Sequence, residues 1–289
     1  MHTSVPTDTK RLSAETMPGW FMVVVGIING FMLAAPLAAE EILSLATRAG
    51  VSQPYLLANL PQNPQAIALL FPGGNGFLGL RSEAGAVRYD NDNFLVRSRD
   101  EFVKRNVVTA VIEAASDSQN SAGMSDETRL GNEHGADVVA VIVALTKQFP
   151  GIPVYLVGTS RGTVSAASIG ARNSAAISGV VLTATVFRKN QPGRGDKRTA
   201  PGLSSFDFAA IKAPLLFVHH VNDQCYVTPY ADAAALAGKY SLISVSGGRT
   251  AESDPCQALT PHGFLGKESE TIEQIVDWML KIPFRHEVK

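Results

Sequence analysis

Apolar residues along this chain follow two recurring patterns. Short unbroken runs predict strands buried on both faces: Ala66–Phe71 (AIALLF), Asn106–Ile112 (NVVTAVI), Ile152–Gly158 (IPVYLVG), Ile177–Phe187 (ISGVVLTATVF), Pro214–Val221 (PLLFVHHV) and Leu242–Val245. Between and after them, Phe94–Lys104, Glu133–Phe149, Ala166–Arg172, Pro229–Ala237 and Lys267–Leu280 predict helices. Ahead of this series, Glu41–Ala49 (EILSLATRA) reads as a short amphipathic helix, and Tyr55–Leu60 as an edge strand between prolines. Strands alternating with helices predict an α/β fold, a mostly parallel central sheet of about eight strands with helices on both faces. In such sheets ligands sit at the carboxyl ends of the strands, so the residues just past each strand are where chemistry is expected.

The first forty residues read differently. Residues 1–16 are polar and carry Lys10 and Arg11, Trp20–Leu37 has no charge, and Leu37-Ala38-Ala39 precedes the acidic pair Glu40-Glu41. A basic start, an apolar stretch and small residues before a polar resumption describe a secretory signal peptide. The length of the stretch leaves an uncleaved anchor or a buried element as alternatives. The expected organisation is therefore residues 1–39 as leader or anchor and 40–289 as one domain of an exported protein.

Composition narrows the field further. Lys+Arg number 25 against 26 Asp+Glu, and a net charge of −1 supplies no field for gathering nucleic acid or an anionic membrane. Membrane contact would run only through an uncleaved N-terminal segment. Two cysteines exclude an all-cysteine zinc site, and no metal-ligand spacing or dinucleotide fingerprint occurs. Gly73-Gly74-Asn75-Gly76 lacks the Gly-Lys-Ser/Thr ending of a phosphate loop, so no cofactor is expected.

The chemistry gathers elsewhere. Gly158-Thr159-Ser160-Arg161-Gly162 follows an apolar strand and precedes a run of small residues, the setting of a nucleophile elbow. A serine hydroxyl needs a base within hydrogen-bond reach. Of six histidines, His2 lies in the presumed leader, His286 near the C-terminus, and His219 and His220 within an apolar strand. His134 opens a helix and reads as a surface or cap-region residue. His262, in the loop Thr260–Phe264 before the final helix, is the candidate base. Asp223, just past the strand Pro214–Val221, is the candidate acid that orients it, with Asp196, Asp207 and Asp254 as other carboxylates in range.

The order Ser160, Asp223, His262, together with the elbow and the Pro261-His262-Gly263 loop, resembles the α/β-hydrolase superfamily over roughly residues 55–285. Phe71-Pro72-Gly73-Gly74-Asn75-Gly76 is similar to that family's glycine-rich oxyanion loop, with Pro72 where a histidine is usual. The resemblance implies an oxyanion hole built from the backbone N–H of Arg161 and of Gly74 or Asn75. The Arg161 side chain would either pair with a nearby acid, the favoured reading, or orient a substrate carboxylate. In an exported protein, a bond between Cys225 and Cys256 would tie the acid loop to the histidine loop. Residues 188–206, after the strand following the elbow helix, are too few for a helical cap domain, which implies an open site for a small ester or acyl substrate. The expected function is a serine hydrolase of carboxylic esters. Its alternatives are an amidase, peptidase or acyltransferase on the same triad, and a non-catalytic binding protein of the same fold.

Overall fold

The computed structural model describes residues 40–190 and 200–289. The leader or anchor reading of residues 1–39 lies outside the described residues, as does 191–199 of the loop expected to stay short of a cap. Among the described residues, no helix is long and apolar enough to cross a membrane.

The chain begins with β1 (Glu41–Arg48) and β2 (Val51–Leu57), an antiparallel hairpin. This corrects the helix expected over Glu41–Ala49. Its apolar residues fit either period, and pairing from Glu41↔Leu57 to Arg48↔Val51 decides for strand. Gly50, at φ +71°, turns the hairpin. Tyr55–Leu57 consequently lies one place inside the sheet edge, not on it.

β3 (Ala66–Phe71) leads into the glycine loop, and a small hairpin of β4 (Arg81–Glu83) and β5 (Ala86–Arg88) follows, unpredicted from sequence. The helix expected over Phe94–Lys104 is two short helices, α1 (Phe94–Arg97) and α2 (Arg99–Val103). Then come β6 (Val107–Ile112), α3 (Asp126–Leu130), α4 (Asn132–Gln148), β7 (Val154–Thr159) and α5 (Gly162–Arg172). β8 (Gly179–Thr183), β9 (Leu215–His220), α6 (Tyr230–Ala234), β10 (Ser241–Val245), α7 (Glu268–Met279) and β11 (Glu287–Val288) complete the fold.

The nine strands of the main sheet run in the order β1-β2-β6-β3-β7-β8-β9-β10-β11, in keeping with the expected sheet of about eight; β1 and β11, neither read as a strand from sequence, are its two edges. From β6 to β11 every pairing is parallel. Alternation along each strand divides the core in two. On β3, Ile67, Leu69 and Phe71 join Val138, Val141 and Leu145 of α4 and Val164 and Ala167 of α5. Ala66, Ala68 and Leu70 face the other way, toward Phe94 of α1, Phe102 of α2 and Ile272, Ile275 and Met279 of α7. Strands sandwiched in this way must be apolar on both faces, which is why they appear in the sequence as continuous runs.

Candidate active site

β7 ends at Thr159 and α5 begins at Gly162, so Ser160 and Arg161 make the whole turn. Ser160 sits at φ +50°, in the left-handed region that costs a residue with a Cβ about 1 kcal/mol or more. The surroundings hold it there. Its N–H donates to Thr183 O at 3.0 Å, and its carbonyl accepts from Thr163 N at 2.9 Å and from Thr163 Oγ1 at 2.6 Å. The flanking glycines are steric necessities. A Cβ on Gly162 would lie 2.0 Å from Phe71 O, and one on Gly158 would lie 2.6 Å from Gly162 O.

The glycine loop after β3 runs alongside this turn. A Cβ on Gly73 would lie 2.9 Å from Ser160 Cβ, so the loop main chain passes directly against the serine. Neither the Arg161 N–H nor the N–H of Gly74 or Asn75 donates a hydrogen bond among the described residues. Asn75 is tied down by its side chain, donating from Nδ2 to Ser121 O at 3.2 Å and accepting from Phe77 N at 3.2 Å.

With Pro72 in the usual histidine position, the loop is gripped from beneath by Arg129, which sequence reading missed. Its buried guanidinium donates from Nη2 to Pro72 O at 3.5 Å and to Gly74 O at 3.4 Å, and from Nη1 to Ser165 Oγ at 3.0 Å. Burial and the nearby Arg161 charge push its pKa down to about 9, still cationic at neutral pH. Ser165 Oγ also contacts His134 Nε2 at 3.0 Å. His134, in the first turn of α4, is thus buried beneath the elbow, which keeps the cap-region alternative and overturns the surface one, and desolvation and Arg129 push its pKa down to about 3, which keeps it neutral.

The Arg161 side chain pairs with an acid, as favoured. Nε and Nη2 donate to Asp126 Oδ1 at 3.0 and 2.8 Å, and Asp126 Oδ2 accepts from Gly202 N at 2.8 Å. Asp126, at the start of α3, is a buried carboxylate whose role no local pattern indicated.

Asp223 follows β9, and His262 stands in a 3₁₀ turn (Pro261–Gly263) whose entry is fixed by Thr260 Oγ1 accepting from His262 N at 3.1 Å. His262 Nδ1 meets Asp223 Oδ2 at 3.0 Å. The carboxylate is wholly buried and also accepts from Cys225 N on Oδ1 at 2.9 Å and from Thr228 Oγ1 on Oδ2 at 2.8 Å. Thr228 Oγ1 lies 3.1 Å from His262 Nδ1 as well, so one hydroxyl braces both partners. Position in sequence gave no hint of Thr228.

Cys225 and Cys256 form a disulfide across this pair of loops. His219 and His220 are both buried. His219 Nε2 accepts from Thr185 N at 2.9 Å, and desolvation pushes its pKa down to about 4, which keeps it out of acid–base work near neutrality.

His262 Nε2 is buried with no hydrogen-bond partner among the described residues. His262 is one of the residues lining a cavity of about 740 Å³, together with Ser160, Arg161, Gly74 and Asn75. No hydrogen bond joins Ser160 to His262 here. Such bonds are commonly long in ligand-free enzymes and close when substrate binds. The geometry therefore brings the elbow serine, a carboxylate-oriented imidazole and unused backbone donors to one cavity at the carboxyl edge of the sheet. Asp254 also lines the cavity, without bonding His262, and Asp207 caps a distant turn through Ala209 N. Asp196 lies outside the described residues. Among the described residues, no cluster of His, Cys, Asp and Glu could hold a metal ion.

Residues 120–206, which span the elbow, match the family model for serine aminopeptidase, S33. No curated protein sequence matches the chain. Among solved structures, Est1E from Butyrivibrio proteoclasticus is similar at 14% identity and a TM-score of 0.55, covering 83% of this chain and 98% of that one. A cold-adapted esterase from an Arctic intertidal metagenomic library is similar at 15% identity and a TM-score of 0.54, covering 84% and 93%. DcsB, solved with a substrate analogue, reaches 0.55 at 11% identity over 84% and 98%. The chain shares its fold with these esterases over more than four-fifths of its length, and the segment around the elbow matches a serine hydrolase family model.

Proposed function

We propose that this protein is a serine hydrolase of carboxylic esters. Ser160 Oγ attacks the acyl carbon and His262 Nε2 takes its proton, while Asp223 holds Nδ1–H and stabilises the imidazolium. The carbonyl oxygen, now negative, receives the N–H groups of Arg161 and of Gly74 or Asn75. His262 then returns the proton to the departing alkoxide, and water repeats the sequence on the acyl-enzyme. The observation that carries this reading is the Asp223–His262 hydrogen bond, whose far nitrogen, Nε2, is left unpartnered on a histidine that lines the same cavity as Ser160. A buried imidazole nitrogen without a partner costs stability unless a substrate or nucleophile is its intended partner.

Ester substrates are supported by the similar esterase folds. Asp126 is neutralised by Arg161, which leaves Asp254 as the unpaired acid lining the cavity among the described residues. A second reading, peptide or amide cleavage, is supported by the serine aminopeptidase family model, with Asp254 as the group that would meet a substrate amine. The Cys225–Cys256 disulfide fits an oxidising compartment and supports export.

The test is fluorophosphonate labelling mapped by peptide mass spectrometry, followed by turnover of p-nitrophenyl esters and amino-acid p-nitroanilides. Labelling at Ser160 that is lost in Ser160→Ala and His262→Ala, with ester turnover above anilide turnover, is the expected result. Absence of labelling in folded, oxidised protein points to a binding protein.

A further inference from the structure

We propose that Asn93 is a third donor to the reacting carbonyl oxygen, acting beside the backbone N–H groups; this rests on the Ser160 reading above. Asn93 is the N-cap of α1, and its Oδ1 accepts from Leu95 N at 3.3 Å. That bond fixes the orientation of the amide, since only oxygen can accept there. Its Nδ2 therefore points away from the helix, and among the described residues it has no hydrogen-bond partner.

The direction in which it points is set by Gly73. A Cβ on Gly73 would lie 3.0 Å from Asn93 Nδ2 and 2.9 Å from Ser160 Cβ, so the amide and the nucleophile flank the same glycine. The next peptide carries the Gly74 N–H. Asn93, Gly74 and Ser160 all line the cavity. The anchor is rigid, because Phe94, Leu95 and Val96 are fully buried and Asn93 O accepts from Arg97 N at 3.0 Å. Asn91 offers a contrast: its Nδ2 stands 3.7 Å from the corresponding point on Gly74, but no side-chain bond sets its orientation.

When Ser160 Oγ bonds to the acyl carbon, the π pair of the carbonyl moves onto oxygen and the hydroxyl proton passes to His262 Nε2. Asn93 Nδ2–H donates to that oxygen and is not transferred. A donor aimed at charge that develops only in the transition state lowers the barrier without tightening the substrate complex.

Substitutions that keep the cap separate the chemical role from the structural one, because Asp and Ser cap a helix about as well as Asn. In Asn93→Asp and Asn93→Ser, with p-nitrophenyl acetate, kcat is expected to fall by about 100-fold, with KM and Tm near the wild-type values. Asn93→Ser removes the reach without adding a charge, so a fall in both variants excludes simple repulsion by the aspartate. If Asn93→Ser keeps the wild-type kcat, or if only KM rises, the third-donor role is wrong while the Ser160 reading stands. Wild-type protein that neither turns over ester nor labels at Ser160 overturns both.

Discussion

The two halves of the candidate site are held by different kinds of force. On the elbow side, main chain packs against main chain: Gly158, Gly162 and Gly73 bring β7, α5 and the glycine loop within van der Waals contact, and Ser160 is strained into φ +50° between them. On the acid–histidine side, two loops that leave the sheet are joined by side chains, through the Asp223–His262 bond, the Thr228 hydroxyl and the Cys225–Cys256 disulfide. The elbow's precision is written into the core and shares its stability. The second half is an assembly of bonds above the core, which can loosen without unfolding the sheet. Ser160 and His262 therefore answer to different perturbations.

The most severe break is expected at the elbow. Gly162→Ala places a Cβ against the Phe71 and Pro72 carbonyls, which are backbone and cannot yield, and should cost about 3 kcal/mol or more. Thermal melting and soluble yield check this, and unchanged melting would mean that the elbow is not packed as described.

The opposite half is tested by Cys225→Ser with Cys256→Ser, or by reductant. Opening a bridge with a sequence separation of 31 should lower stability by about 3–4 kcal/mol in the chain-entropy model. Hydrogen exchange should rise around Asp223 and His262 while the amides of β7 and α5 stay protected. Equal loosening of both halves would erase the distinction drawn between them.

The finest probe is Thr228→Val, which keeps shape and removes one hydroxyl. The carboxylate loses a donor and the imidazole a brace, worth about 1–2 kcal/mol, so kcat/KM should fall by roughly 5–30-fold. Thr228→Ser should recover most of it. A fall in melting temperature without a change in kcat/KM would make Thr228 a packing residue alone.

This asymmetry also explains what could be read in advance. The elbow was legible because its requirement is local: an apolar strand, glycines where side chains would collide, and small residues after. The doubly covered strands were legible for a similar reason, since burial on both faces leaves a continuous apolar run. The segment that becomes β1 reads equally as a helix, because eight residues with apolar positions at 42, 43 and 45 satisfy either period until a partner strand is present. His134 reads as a surface or cap-region residue at a helix start, yet α4 lies against the elbow helix and buries it.

By itself, the sequence determined the α/β alternation, the strand-to-helix turn at Ser160 and the short list of residues able to act with it, because each rests on steric and hydrophobic rules that operate over a few residues. The strand-end position of Asp223 already pointed to it as the carboxylate beside His262, but only the tertiary structure placed Thr228 between them, paired Arg161 with Asp126, and set Arg129 and Asn93 against the glycine loop. Apart from Thr228 with Asp223, those choices join residues 20 to 57 positions apart, as Asn93 is from Gly73 and Arg129 from Pro72. A hydrogen bond is specified by the positions and directions of two groups, and over such separations these are set by the packing of the whole sheet and its helices, not by the spacing of letters.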